Sequence, residues 1–292
     1  MSAVEKVKVL HVDGSESWAV PREKHPAVFS DAILAEMADL LVLLDWPGSS
    51  VLDPFAGKGR VHALPQLVRE ECFERAIARR QVKTVGVEIE AEWAACSAFG
   101  ATLVGDSTQL PRSWSRRFGA VVTSPCYGNR FADHHDNRDA CKRCGGVGSI
   151  AVDPDPCAPI GSASTIAGIR TCPTCKGEKL SSRRSYTHDL GHALTDNNAG
   201  AMHYGPAYRE LHRAVWLEVA RVVKPGGLFL LNVKDFIRDG RRVRVSEWHR
   251  RTVIKCGFVQ ESTVLIPQRG LRHGANRERI PNELIYVMRR AS

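Results

Sequence analysis

The chain has 292 residues, 43% of them hydrophobic and 25% charged, the composition of a globular protein with room for one large domain or a domain carrying an insertion. Lysine and arginine outnumber aspartate and glutamate by 41 to 32, a net charge of +9, which favours a polyanionic partner because phosphate contacts come mainly from Lys and Arg. No apolar run reaches the roughly 18 residues of a membrane span and residues 1–12 lack a signal-peptide core, so no membrane contact and a cytoplasmic location are expected.

In chain order, residues 31–44 place apolar side chains at helical spacing, with Ser30 or Asp31 able to cap the start. Pro47-Gly48 breaks the chain, and 50–52 is a short strand entering Asp53-Pro54-Phe55-Ala56-Gly57-Lys58-Gly59-Arg60. Residues 60–80 read as a helix, 84–88 as a strand ending on an acid, 91–99 as a helix, and 101–104 as a strand ending at Gly105-Asp106. A fourth strand, 118–122, leads into Thr123-Ser124-Pro125-Cys126-Tyr127-Gly128-Asn129-Arg130. Strands alternating with helices imply a mostly parallel sheet with ligands at the carboxyl ends of its strands. Asp53, Glu88, Asp106 and Ser124 all fall at such ends.

The pattern fails over 131–203, which is rich in His, Asp, Gly, Pro and Ser. It resumes with a helix over 207–223, a turn at Lys224-Pro225-Gly226-Gly227, a strand over 228–233, a helix over 246–256, and strands over 260–266 and 283–288. The expected organisation is one α/β domain split into 1–130 and 204–292 by an insertion over 131–203. The charge excess gathers late, in Arg238, Arg241, Arg242, Arg244, Arg250, Arg251 and Lys255, followed by Arg269, Arg272, Arg277 and Arg279. No internal repeat is found.

Glycine after a strand lets backbone turn tightly and approach a ligand, but a bare Gly-x-Gly also serves ordinary turns. The longer Asp-Pro-Phe-Ala-Gly-x-Gly resembles the S-adenosylmethionine (SAM) loop of class I DNA amino-methyltransferases, which act on cytosine N4 or adenine N6. The resemblance implies a Rossmann-like fold in which Asp53 and Pro54 stand near the methionine part of SAM and Phe55 lines the pocket. Gly57 and Gly59 make the turn, Glu88 accepts from the ribose hydroxyls and Asp106 from the adenine amino group. Lys24-His25-Pro26-Ala27-Val28-Phe29 resembles the family's upstream segment, so His25, Pro26 and Phe29 would pack over SAM. Taken singly, Glu88 is an exposed strand-end acid and His25-Pro26 a turn. No phosphate loop of the Gly-x-x-x-x-Gly-Lys-Ser/Thr kind occurs.

Ser124-Pro125-Cys126-Tyr127 resembles the same enzymes' catalytic loop, whose pattern is Asp/Asn/Ser-Pro-Pro-Tyr/Phe/Trp. Amino methylation needs the nitrogen lone pair aimed at the methyl carbon. A side-chain oxygen (Ser124) and a backbone carbonyl (Pro125) can accept the two amino protons, with an aromatic ring (Tyr127) stacked on a flipped-out base. Serine at the first position resembles the cytosine-N4 members, ahead of adenine-N6. Cys126 departs from the pattern. Pro-Cys at this strand end is also the nucleophile position of cytosine carbon-5 methyltransferases. Against that route, Tyr127 fits the amino pattern and the Glu-Asn-Val triplet of that family is missing, since Asn232-Val233-Lys234 lacks the Glu.

Nine cysteines in a cytoplasmic chain are not a disulfide framework. Cys141 with Cys144, and Cys172 with Cys175, form two Cys-x-x-Cys pairs followed by glycines, four thiolates suited to a structural tetrahedral zinc. The first pair resembles half of a DnaJ-type zinc module. Cys72, Cys96, Cys157 and Cys256 read as scattered core or surface residues. His188 and His192 read as loop polarity.

The resemblance covers 24–130 and 207–290, with the cofactor loop preceding the catalytic loop, the reverse of many Ser-Pro-Pro-Tyr enzymes. Residues 270–277 resemble a segment of phage and actinobacterial methylases. Double-stranded DNA is the expected partner. RNA is the rival polymer, and a non-catalytic zinc-bearing nucleic-acid-binding module is the rival class.

Overall fold

A computed structural model of the protein describes residues 5–22, 29–97, 102–128, 147, 149–152, 168–172, 190, 192–238, 241–267 and 280–292. The main sheet is built from β3 (Ser50–Asp53), β4 (Lys83–Glu88), β5 (Thr102–Val104), β6 (Phe118–Thr123), β9 (Val223–Val233), β12 (Phe258–Pro267) and β13 (Asn282–Arg290). Their order is β12-β13-β9-β6-β3-β4-β5. Strands β9, β6, β3, β4 and β5 pair parallel, and β13 inserts antiparallel between β9 and β12. This is the mostly parallel, Rossmann-like sheet expected from the alternation of strands and helices. The chain winds outward from β3 to β5, then returns to lay β6 on the other side of β3. The carboxyl ends of β3 and β6 therefore flank the switch point, where such sheets bind ligands.

Helices cover both faces, as a parallel sheet requires. On one side lie α1 (Asp31–Leu43) and α2 (Leu64–Glu74), with Met37 and Leu41 packed against Ala120, Val122, Leu228 and Leu230. On the other lie α4 (Pro206–Val222) and α5 (Val245–Lys255), with Trp216 and Val253 against Val121, Phe229 and Phe258. Strand β9 thus sends Leu228 and Leu230 one way and Phe229 and Leu231 the other. Burying each such side chain contributes roughly 1.5–3 kcal/mol. Gly119 is obligatory: a Cβ there would lie 1.8 Å from the Pro47 carbonyl oxygen.

Several elements differ from the sequence reading. The helix expected over 60–80 is a 3₁₀ turn (Arg60–Ala63) followed by α2, which stops at Glu74. Ala76 adopts φ 53, and its N–H and that of Ile77 bond back to Phe73 and Cys72, a Schellman stop without the usual glycine. Arg80, beyond the stop, donates to the carbonyls of Leu41, Leu44 and Trp46 and lies over the Trp46 ring, holding the end of α1. The helix expected over 91–99 is a single turn, α3 (Ala91–Ala94), with 98–99 outside the described residues. The expected turn at 224–227 is an irregularity within the continuing β9.

Two hairpins were not foreseen. Strands β1 (Val7–Leu10) and β2 (Glu16–Ala19) dock on β5 through the His11–Val104 bridge. Strands β10 (Phe236–Arg238) and β11 (Arg241–Val243) follow directly after β9. Within the inserted stretch, β7 (Ser149–Val152) pairs antiparallel with β8 (Gly168–Thr171). Among the described residues no helix is long and apolar enough to cross a membrane.

Candidate functional site

Strand β3 delivers Asp53 to the switch point, fully buried. Its Oδ1 accepts from Thr123 Oγ1 at 2.6 Å and from the Phe55 N–H at 3.0 Å, tying the ends of β6 and β3 together. Oδ2 has no partner among the described residues. Burial pushes this carboxyl up to about 7 against the lowering effect of those bonds.

The loop that follows turns through Gly57 (φ 53) and Gly59 (φ 76), left-handed conformations that only glycine adopts freely. It lies close on β4, where a Cβ at Gly86 would meet the Ala56 Cβ at 2.7 Å. Glu88, at the end of β4, accepts the Gly57 N–H at 2.8 Å and the Glu90 N–H at 3.0 Å, one on each oxygen. Burial pushes it, too, up to about 7. Glu88 is thus a brace for the loop as well as part of the cavity wall.

A cavity of about 260 Å³ opens on this loop. Of the residues singled out in the sequence, it gathers Phe29, Pro54, Phe55, Gly57, Glu88, Asp106, Ser124, Pro125, Cys126 and Tyr127. Asp53 and Gly59 stand outside its lining. His25 and Pro26 lie outside the described residues, as do Cys141, Cys144 and Cys175 and the segment 270–277. Cys172, just after β8, is buried.

Part of the cavity wall comes from the end of the inserted stretch. Glu90, 1% exposed, accepts from the Thr195 N–H at 2.8 Å, Thr195 Oγ1 at 2.9 Å and Asn198 Nδ2 at 2.7 Å. Asn197, at φ 66, donates to Asp106 Oδ2 at 3.1 Å, while Asp106 Oδ1 accepts from the N–H and hydroxyl of Thr108. Asn197, Asn198 and Ala199 line the cavity. The return of the insertion is therefore structurally part of the main body. Glu90 and the Asn pair escaped the sequence reading because nothing local connects them.

The Ser124 loop faces two acceptors, Asn232 Oδ1 and Glu283 Oε2. Ser124 Oγ lies 2.9 Å from Asn232 Oδ1 and 2.9 Å from Tyr127 Oη; Tyr127 Oη is 3.0 Å from the same Oδ1 and 3.4 Å from Glu283 Oε2. Asn232 Nδ2 donates to the Leu284 carbonyl at 3.3 Å, which turns Oδ1 toward the loop. Two hydroxyl protons thus serve a triangle of three oxygen–oxygen contacts, and the cluster is rich in acceptors and short of donors. Burial and the nearby Glu283 hold Tyr127 well above the ordinary phenol range, so it stays protonated. Asn232 and Glu283 come from β9 and β13, and their role is visible only once the antiparallel β13 is placed beside β9.

Beneath the loop, Tyr208 Oη contacts the Cys126 carbonyl at 2.5 Å and His249 Nε2 at 2.8 Å, and Trp216 Nε1 contacts His249 Nδ1 at 3.1 Å. His212 donates through Nδ1 to the Tyr208 carbonyl and stacks on Phe55, its ring centroid 5.3 Å away. Burial lowers His212 to about 4, and burial together with the His212 ring holds His249 well below the usual range. Both are neutral at ordinary pH. Beside the loop, the Tyr204 N–H donates to the Gly128 carbonyl at 3.1 Å, and Arg209 lies over the Tyr204 ring. The hairpin β10–β11, with Arg238, Arg241 and Arg242, begins at Phe236, four residues after Asn232.

No family model matches the chain, and no curated protein does. Among solved structures, a Thermus thermophilus protein provisionally named a DNA modification methylase, complexed with S-adenosyl-L-methionine, aligns at 22% identity and a TM-score of 0.25. The alignment covers 30% of this chain and 38% of that one, so this chain spans well under half of its length. The 4+2 cyclase SpnF aligns at 12% identity and TM-score 0.45, over 92% of this chain and 86% of that one. A Burkholderia thailandensis 1,6-didemethyltoxoflavin-N1-methyltransferase with bound S-adenosylhomocysteine aligns at 12% identity and TM-score 0.40, over 90% and 80%. At these values neither the fold nor the chemistry of this chain rests on them. The fold rests on the strand order, and the site has to identify its own ligand.

Proposed function

We propose that the chain is a SAM-dependent methyltransferase acting on an exocyclic amino group of a base in double-stranded DNA, cytosine N4 ahead of adenine N6. The observation that carries this reading is the donor-poor cluster of Ser124, Tyr127 and Asn232 opening on the same cavity as the glycine loop. An amino group brings two N–H donors, which is what that cluster lacks.

The residues present fit SAM. The left-handed glycine loop gives a close backbone approach, and Glu88 and Asp106 offer carboxylate oxygens at the ends of β4 and β5. Asp53 Oδ2, buried without a partner among the described residues and next in sequence to the cavity-lining Pro54, is the acceptor an ammonium would satisfy through a water. When bound, SAM supplies an electrophilic methyl group on a sulfonium. Ser124 Oγ and the Pro125 carbonyl would accept the two amino protons and aim the nitrogen lone pair, and the surplus proton would leave the nitrogen after transfer. Arg241 and Arg244, both exposed, suit phosphate contacts.

A second reading has one observation in its favour. Glu283 lines the cavity together with Cys126. It supplies an acid that the sequence, lacking the Glu-Asn-Val triplet, did not offer, and so keeps carbon-5 methylation through a Cys126 thiolate as the alternative.

Cys141, Cys144, Cys172 and Cys175 are proposed to hold a structural zinc, for which metal analysis should find about one zinc per chain. The functional test is incubation with labelled SAM and either duplex DNA or RNA, followed by nucleoside analysis. Methylated cytosine or adenine amino groups in DNA support the reading; label at carbon 5, or in RNA alone, replaces it. A titration without SAM binding sinks every SAM-dependent version.

A further inference from the structure

The buried chain beneath the Ser124 loop has only one possible polarity. An indole N–H can only donate, so Trp216 donates to His249 Nδ1. That nitrogen carries no proton, and the neutral ring keeps its proton on Nε2. A carbonyl can only accept, so the Tyr208 hydroxyl proton goes to Cys126 O. The remaining contact, between His249 Nε2 and Tyr208 Oη, is then a donation from histidine to tyrosine. Three bonds have three protons and none is contested, in contrast to the donor-poor triangle above the loop.

Tyr208, Trp216 and His249 are all 0% exposed, so no bulk water competes for these bonds. The chain ends on the carbonyl of Cys126, whose neighbours Pro125 and Tyr127 line the cavity. A second hold lies two residues on, where the Gly128 carbonyl accepts from Tyr204. A Cβ at Gly128 would come within 2.8 Å of the Tyr204 nitrogen. Helix α4 and the residues before it thus grip the loop from below at 126 and 128. The same helix carries His212 against Phe55 of the glycine loop.

We infer that Tyr208 is a positioning residue for transfer: acting through the Cys126 carbonyl, with His249 and Trp216 behind it, it sets where Ser124 and Pro125 stand in the cavity. This rests on the reading of residues 124–127 as the catalytic loop. Packing alone would make Tyr208 matter for folding. Positioning makes its hydroxyl matter for turnover, because a small displacement of the groups that hold a reacting atom is costly.

The test uses the full chain, tritiated SAM and mixed-sequence duplex DNA. In Tyr208→Phe, kcat should fall about 10- to 100-fold while the dissociation constant for SAM stays within about twofold. His249→Gln, which keeps an amide donor toward Tyr208, should recover part of the kcat that His249→Leu loses. Wild-type kcat in Tyr208→Phe overturns the inference, as does a fall in kcat matched by an equal loss of SAM binding and folded fraction. A readout independent of activity is the ¹⁵N spectrum of the His249 ring in the wild-type chain. An Nε2–H tautomer is expected, and an Nδ1–H tautomer overturns the hydrogen-bonded chain whatever the methyl acceptor proves to be. Absence of SAM binding would instead sink the functional reading and leave the ring spectrum to judge the chain.

Discussion

Glu90 and Asn198 stand 108 residues apart in sequence and 2.7 Å apart in space. With Thr195 they close the return of the insertion onto the end of β4, beside Glu88 and Asp106. Anything that changes the insertion therefore has a direct path to the cavity wall.

Replacing Glu90 with Gln leaves one of these donors facing an amide N–H₂. Leaving a buried hydrogen-bonding group without its partner costs about 1–3 kcal/mol. We expect a lower thermal midpoint and weaker SAM binding together, measured by thermal unfolding and by titration. Unchanged SAM affinity in a destabilised protein would mean that residues 195–199 take no part in holding the cofactor.

Ser124 and Cys126 separate the two chemistries. Ser124→Ala removes the side-chain acceptor and should lower kcat by about two orders of magnitude with SAM binding intact, as expected for a group that aims the reacting atom. Cys126→Ser should keep most of the methyl transfer. Near-complete loss in Cys126→Ser, with Ser124→Ala still active, would hand the reaction to the carbon-5 route.

The buried acids predict a pH dependence of binding. Asp53 and Glu88 are raised by burial from 3.8 and 4.5 to about 7. The folded chain holds protons there that the unfolded chain has already released, so stability from these two groups falls as pH rises from about 4 through 7. Ribose hydroxyls and an ammonium prefer the ionised carboxylates. SAM affinity should therefore rise through about pH 7, and binding below that pH should release protons. Titration calorimetry in two buffers of different ionisation enthalpy at about pH 6.5 checks the sign, and proton uptake on binding would contradict it.

The exposed arginines at β11 predict a salt dependence. Arg241 and Arg244 are exposed, and no ion pair engages either among the described residues. If they contact phosphates of duplex DNA, changing each to Gln should flatten the plot of log affinity against log salt by about 0.9 per contact. SAM binding should not move. An unchanged slope would place the polymer on another face.

Much of the sheet was legible because its evidence is local. Four of the five parallel strands are short apolar runs leading into Asp53, Glu88, Asp106 or Ser124, and the switch point follows from their order. The end of α2 was not legible, because Ala76 takes the left-handed position that a glycine would have advertised. Nor were Asn232, Glu283, Glu90 or Tyr208. Their partners lie on strands and segments far along the chain, and neither periodicity nor motif spacing records a contact of that kind. Asp53 shows a subtler limit. Its place at the end of β3 was foreseen, yet the structure sets it just behind the cavity lining, bonded to Thr123 of the neighbouring strand.

Strands β6 and β9 are parallel neighbours at the centre of the sheet, and the whole inserted stretch and α4 lie between them in the chain. Ring closure in a flexible chain grows more costly only with the logarithm of its length, about 0.6 kcal/mol per doubling. An insertion at this point consequently weighs little on equilibrium stability. Its weight falls on the rate: the pair cannot register until the stretch between them has been made and gathered in, and such long-range pairing is slow. A metal-tied insertion would shorten the effective ring, so chelating the metal during refolding should slow assembly of the sheet far more than it loosens the finished one.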